Sequence, residues 1–446
     1  MKPVGHHLDW SLTPLQLLAR WPAHRRLAML HSGRFHPRWA RYCIVAEPVG
    51  SYQFVANEDG QGQGQWVGSQ EASPLLGALS DKPFRDLRTL VGAAGVGIWM
   101  GQLSYDLGRW VELLPRQAIN DRQWPVIELA YCPGYLVHDG ESNQWHACGT
   151  WAQAMPADWL DHLDQSQSLA PYHCTEPVST FDRQTYEATV RKALNYIAAG
   201  DVFQVNLAQR FSASFTGEYP LAQRALFHEL ASRSPAWFGA YLELEDRRVI
   251  ASTSPELFVE VSSDGQVTTR PIKGTRPSST DPSELEKSEK DKAELNMIVD
   301  LLRNDLGRVC SYGSVKVSQP RTIESHPTVH HGVATIIGKL HPSRDMIELL
   351  RAAMPGGSIT GAPKVRAMQI IDELEPVQRG PYCGCIGYLS RDSLCLNIAI
   401  RTLLLDAAKQ RVDFSVGGGI VADSDPAAEY EETLVKAKAM MQALRG

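Results

Sequence analysis

Near the C-terminus Glu429 and Glu432 stand three residues apart in a stretch of helical periodicity, and Lys436 follows one turn later. Pro426 suits the first turn of such a helix, and Asp425 or Ser424 can cap it. Tyr430, Leu434, Ala437, Met441 and Leu444 form an apolar stripe on a different face. Two carboxylates at this spacing either make a solvated face with a Glu432–Lys436 pair or converge on one hard cation such as Mg2+, which takes oxygen ligands and keeps several waters. Asp291 and Glu294 repeat the spacing in a second acidic helix, where Glu294 is in phase with Ile298 and Leu301. A carboxylate at the edge of a buried stripe is costly unless paired or metal-bound, so the repetition favours the cation.

Lys273 ends a strand and enters a turn at Gly274. In a pocket, desolvation or a nearby cation lowers a lysine pKa and makes the amine a nucleophile; at an open strand end it is a solvated charge. Glu256 follows Pro255 at the start of a strand and can serve as a general acid if burial raises its pKa. Arg401, within the predicted strand 395–405, can clamp a carboxylate in bidentate fashion. Gly417–Gly419 reads as a loop whose amides can approach an anion. The glycine-rich stretch Met354–Lys364 leads into a helix whose N-terminus suits a carboxylate or phosphate; it is not a P-loop, since Gly361 precedes Ala-Pro. His330 and His331 cannot face the same side of one strand, and no spaced partners make them a zinc site.

The elements that must position these groups follow from periodicity and turn residues. Helices are predicted at 182–199, with Thr180 as cap and Gly200 as stop, and at 283–309, 346–353, 363–374 and 426–444. Strands are predicted at 201–215, 240–245, 249–252, 257–261, 267–272, 384–390, 395–405 and 411–416, with short alternating segments such as 42–46 and 97–101 before them. The order lacks a regular βαβ rhythm. It implies an α+β fold of two packed antiparallel β-sheets with helices around them. A Pro-rich, polar stretch at 152–179 is the most linker-like. It separates residues 1–175 from 176–446, two parts expected to interlock rather than to fold apart.

Composition removes several function classes. The 446 residues carry a net charge of -6 and no basic run, which argues against nucleic acid. No segment has the length of apolar residues needed to span a bilayer, and the N-terminus lacks the apolar stretch of a signal peptide; the expected location is cytoplasmic. The eight cysteines are scattered and read as reduced, buried thiols.

Taken in order, Gly200–Leu207, Ser254-Pro255-Glu256, Ile272–Arg276, Ile298–Leu306, Gly361–Lys364, Gly417–Val421 and Glu429–Thr433 resemble the motifs of the chorismate-utilising enzymes. That family comprises anthranilate, aminodeoxychorismate, isochorismate and salicylate synthases. Leu30–Gly33 and Tyr105–Arg109 extend the resemblance through the N-terminal part. Lys273 is similar to the lysine of aminodeoxychorismate synthases that work through a covalent intermediate, where anthranilate synthases usually carry Ala. Gln204 stands where the water-activating lysine of isochorismate and salicylate synthases would be. His31 and Gly33 depart from the Leu-Leu-Glu-Ser pattern of tryptophan-inhibited relatives.

The resemblance implies a mechanism. Glu294 and Glu432, with Glu429 nearby, hold Mg2+. Arg401, Lys436, Tyr382 and the amides of Gly417, Gly418 and Gly419 position chorismate. Lys273 attacks C2 while Glu256 protonates the C4 hydroxyl; His331 lies near that hydroxyl, and Thr275 belongs to the same catalytic group. Ammonia then adds at C4 and expels the lysine. No cysteine has the Gly-x-Cys-x-Gly context of a glutaminase nucleophile, so ammonia is expected from a separate glutamine amidotransferase subunit in a heterodimer. The alternative within the family is anthranilate synthase component I.

Overall fold

The computed structural model describes residues 5–57, 59–75, 79–156, 169–326 and 329–446. The described strands form two sheets, one of 13 strands and one of 11, and every ladder between them is antiparallel. Strands from before residue 175 run through both. Ala28–His31 joins the larger sheet against Phe238–Glu243, and Ile98–Leu103 joins the smaller against Cys385–Leu389. The centre of the linker-like stretch, 157–168, lies outside the described residues. Its later part forms two short strands, Tyr172–Cys174 and Val178–Ser179, which pair with Gln204–Gly217.

The order is helix, sheet, sheet, helix. Between the sheets, Ile44, Ala240, Ile250 and Leu404 of the larger meet Ile98, Met100, Ile386 and Tyr388 of the smaller. On the outer face of the larger sheet lie Leu226–Leu230 and Met440–Leu444 of two helices; on that of the smaller lie Leu87–Val91, Ile298–Leu306 and Ile347–Leu350. Burying each such Leu or Ile side chain stabilises the fold by roughly 1.5–3 kcal/mol before conformational entropy is subtracted. No helix among the described residues is long and apolar enough to cross a membrane.

Most elements fall where periodicity predicts, with instructive exceptions. The helix Arg183–Ala198 is capped by Asp182, which accepts from Thr185 N at 2.7 Å, and not by Thr180, whose hydroxyl accepts from Arg210 N. Gly200, at φ +82°, follows its end as expected. The predicted helix 283–309 is two, Pro282–Lys287 and Glu289–Gly307, because Ser288 leaves helical geometry to cap the second. The predicted strand 267–272 breaks at Pro271 into Gln266–Arg270 and Ile272–Pro277. A hairpin of Lys316–Ser325 and Val329–Lys339 was not predicted. In the C-terminal helix Pro426–Arg445, Asp425 is the cap, Ser424 bonds Glu429 instead, and the fully buried face is Glu429, Thr433, Ala437, Met440, Ala443 and Leu444.

Candidate active site

Two of the places where the chain crosses from one sheet to the other lie side by side. Arg248–Ser254 belongs to the larger sheet and Leu257–Val261 to the smaller, so Pro255 and Glu256 form one crossing. Leu394–Ile398 belongs to the smaller and Thr402–Asp406 to the larger, so 399–401 form the other. The crossings are bonded together: Thr253 N donates to Arg401 O (3.0 Å), Ser254 Oγ to Ile398 O (2.6 Å) and Ile398 N to Glu256 O (3.0 Å). Arg401 is therefore not inside a strand as predicted. It sits at φ +50°, where the ladder is broken to let the chain change sheets.

Glu256 is buried. Ser358 Oγ donates to its Oε1 at 2.7 Å. Burial pushes its carboxyl up to about 7, against the pull of the Ser358 bond and the Lys273 charge. Ser358 comes from the glycine-rich stretch expected to cradle an anion. Its helix starts at Lys364 with no side-chain cap, and the Lys364 ammonium is taken by Asp305 at 2.6 Å. The stretch also pairs Gly361–Ala362 with Gln204–Val205 and delivers Ser358 to Glu256. No sequence pattern marked Ser358.

Lys273 lies opposite, on a strand whose register against Val329–Lys339 shifts between Ile272 and Thr275. Gly274 takes φ +80° there, and a Cβ on it would lie 2.7 Å from Leu285 and 2.9 Å from the Asp291 carboxyl carbon. Burial lowers the Lys273 pKa; the Glu294 charge opposes this and Lys436 adds to it. Its Nζ and the Gln204 amide nitrogen reach within 3.3 and 2.8 Å of the point where Gly419 would carry a Cβ. Neither polar atom of the buried Gln204 amide has a hydrogen-bond partner among the described residues. A buried unsatisfied amide beside an amine is what a polar ligand would complete.

Gly417–Gly419 is not a loop. It is part of the strand Arg411–Ile420 and pairs with Asn206–Ala208. Glycine serves here by leaving room. A Cβ on Gly418 would lie 2.9 Å from Glu429 Oε2 and 3.7 Å from Glu432 Oε1, so both carboxylates lean over one bare backbone unit. Burial raises the Glu429 pKa, with the Ser424 bond at 2.6 Å opposing. Burial also raises that of Glu294, on which the Glu432 charge bears as well. Lys436 bonds Glu432 at 2.6 Å and the Gly417 carbonyl at 2.9 Å, and despite burial this holds the Glu432 carboxyl below its ordinary range. Among the described residues no three acidic, His or Cys side chains are already close enough to hold a metal ion.

His331 shares a 2.9 Å hydrogen bond with Thr275 through Nδ1, and its buried Nε2 has no partner among the described residues. Burial holds its pKa well below the ordinary value, and Arg401, His326, His330 and Lys436 lower it further, so the ring is neutral. His330 points elsewhere and bonds Ser325 at 2.9 Å. Arg401 is half-buried, with burial lowering its pKa and no ion pair among the described residues. Tyr382 is buried in the core, bonded to Cys383 and beneath the Arg379 guanidinium. The neighbouring Cys383 feels the Glu256 charge. The arrangement thus offers a buried amine and a buried acid beside a cluster of carboxylates and an Arg401 guanidinium without an ion pair among the described residues, suited to a small, multiply anionic substrate.

The sequence matches the chorismate binding enzymes over residues 28–442. The chain belongs to that family. It is 38% identical over 440 residues to aminodeoxychorismate synthase component 1 of Escherichia coli K12, covering 93% of this chain and 92% of the relative. It is 43% identical over 368 residues to anthranilate synthase component 1 of Thermus thermophilus, covering 77% of each. The solved anthranilate synthase component I of Streptococcus pneumoniae superposes with a TM-score of 0.75 at 29% identity, over 99% of both chains. The menaquinone-specific isochorismate synthase of Escherichia coli shares the fold, with a TM-score of 0.72 at 19% identity over 99% of this chain and 93% of that one. The family's fold of two antiparallel sheets with helices is thus the one seen here.

Proposed function

We propose that this chain is the chorismate-aminating subunit of an aminodeoxychorismate synthase and makes 4-amino-4-deoxychorismate through a covalent bond to Lys273. The observation that carries the reading is the facing pair: a buried amine of lowered pKa and a buried carboxyl raised to about 7. Burial favours the neutral amine that attack requires and the protonated acid that leaving-group departure requires. Arg401, Lys436, Tyr382 and the backbone of Gly417–Gly419 position the substrate's carboxylates.

The Lys273 amine attacks C2 of the ring. Electrons move through the ring to expel the C4 hydroxyl, which leaves as water with the Glu256 proton. Neutral His331, oriented by Thr275, bonds the departing oxygen. Ammonia then attacks C4, the C2–N bond breaks, and Lys273 leaves as a free amine. The new ammonium returns one proton to Glu256, so both groups regain their starting forms. Glu294 and Glu432, with Glu429 beside them, have the oxygen donors and charge to hold Mg2+, whose demand for few protein ligands and several waters fits a set not drawn into a closed cage. When bound, the ion neutralises the ring carboxylate. The naming of the relatives as component 1 supports a partner, proposed to be a glutamine amidotransferase that supplies ammonia.

Product identity tests the reading. With chorismate, Mg2+ and ammonium, the purified chain is expected to form a chorismate-derived amine that becomes 4-aminobenzoate only when a separate lyase is added. Direct appearance of 2-aminobenzoate would make the chain an anthranilate synthase.

A further inference from the structure

A cavity of about 770 Å³ opens between the sheets, and none of the residues assigned to catalysis lines it. Its position follows from strand register. Gln204, Asn206, Ala208 and Arg210 alternate onto one face of their strand, opposite Gly419, Gly417 and Ser415. The row starts in the active site, and Arg210 and Ser415 line the cavity. Arg379 stands between the two, bonded to Glu375 (2.6 Å) and to Asn206, and forms the cavity's end wall.

Its polar surplus has one sign. Arg116 spends its guanidinium on the Gly60 carbonyl at 3.2 Å and makes no ion pair among the described residues. Arg248 makes only a long ion pair with exposed Asp246, at 3.8 Å, donates to the Gln123 carbonyl at 3.4 Å and lies over the Trp124 ring. Arg210 is buried and pairs with Asp121 at 3.0 and 2.5 Å, yet its Nε, also buried, has no acceptor. Six arginines against four aspartates line the cavity, and this excess of positive charge with an unmatched N–H donor suits a ligand rich in acceptors. Trp110, Trp124 and Ile119 supply flat and apolar wall beside them. The volume suits a small organic molecule.

We propose that this cavity is a binding site for a small carboxylate with a flat, apolar body, held through Arg116 and Arg248. The site is separate from the chemistry, so the proposal does not rest on the reaction assigned above.

The test is calorimetric titration of the full chain with benzoate, benzamide and acetate. Benzoate is expected to bind wild type and Arg401→Gln alike, since Arg401 belongs to the other site. The Arg116→Gln/Arg248→Gln double variant is expected to bind it at least about tenfold more weakly, and the neutral or ringless probes to bind poorly. Benzoate binding that is lost in Arg401→Gln, or unaffected in the double variant, would overturn the proposal. Crystals of the unmodified chain soaked in 4-iodobenzoate give a reading free of folding effects. Iodine is expected beside Trp124, and its absence from the cavity would equally overturn the site.

Discussion

Glu256 sits between opposing influences: burial drives its carboxyl up, and the Ser358 hydroxyl and the Lys273 charge hold it at about 7. Ser358 favours the ionised form, so removing it must raise the pKa. A hydrogen bond to a charged group is worth about 1.5–3 kcal/mol, so Ser358→Ala should move the alkaline limb of kcat/KM upward by about one pH unit at fixed free ammonia, while Ser358→Thr keeps it. An unmoved limb in Ser358→Ala would remove the serine from any positioning role. The chemical groups themselves were legible in the sequence. Lys273, Glu256, Glu294, Glu429 and Glu432 could be named from short segments, as candidates by residue type and, in role, by the family resemblance. Ser358 could not, because its contact spans 102 residues and depends on two loops meeting at a sheet crossing.

The C-terminal helix and the strand Arg411–Ile420 act together as an element pair, with the helix dropping Glu429 and Glu432 onto a strand that is bare at Gly418. If these carboxylates hold Mg2+, Glu432→Gln should raise the Mg2+ concentration for half-maximal activity at least about tenfold, as loss of one anionic ligand does for a hard cation. An unchanged Mg2+ dependence would contradict the ligand assignment. The helix was legible from its 3.6-residue period. The glycines read as a loop because glycine is rare inside strands, except where something approaches closely, which is their use here. The break at Glu256 was legible, since strands 249–252 and 257–261 are predicted apart, but the break at Arg401 was not. A strand that changes sheets keeps its apolar alternation, and only tertiary pairing reveals the switch.

At the scale of the whole molecule, the interior contains buried titratable groups with opposite pH slopes. Glu128 and Glu256 are pushed up to about 7 by burial, and His31 and His326 down to about 4. The carboxyls bind protons more tightly folded than unfolded, so their contribution to stability falls as pH rises from 4.5 to about 7. The histidines bind protons less tightly folded, so theirs is lost as pH falls from 6.5 towards about 4. Glu128 lies in neither proposed site, and its Oε1 accepts from Glu245 N at 2.8 Å, a bond glutamine can keep. Glu128→Gln should match wild type near pH 4.5 and exceed it in unfolding free energy by up to about 3 kcal/mol at pH 8. A difference that does not grow with pH in denaturant titrations would contradict the buried-acid assignment. The antiparallel two-sheet class was legible from the irregular order of strands and helices. The weaving of the first 175 residues into both sheets was expected only in outline, since no local pattern says which strand pairs with Ala28–His31.

The bond to Lys273 is the central claim. It is tested most directly by mixing the chain with chorismate and Mg2+ without ammonia, quenching rapidly and weighing the intact protein. The account predicts an added mass equal to chorismate less one water, mapping to the peptide that contains Lys273 and absent from Lys273→Ala. Amine formation at an undiminished rate by Lys273→Ala, with no adduct on the wild-type chain, would contradict it.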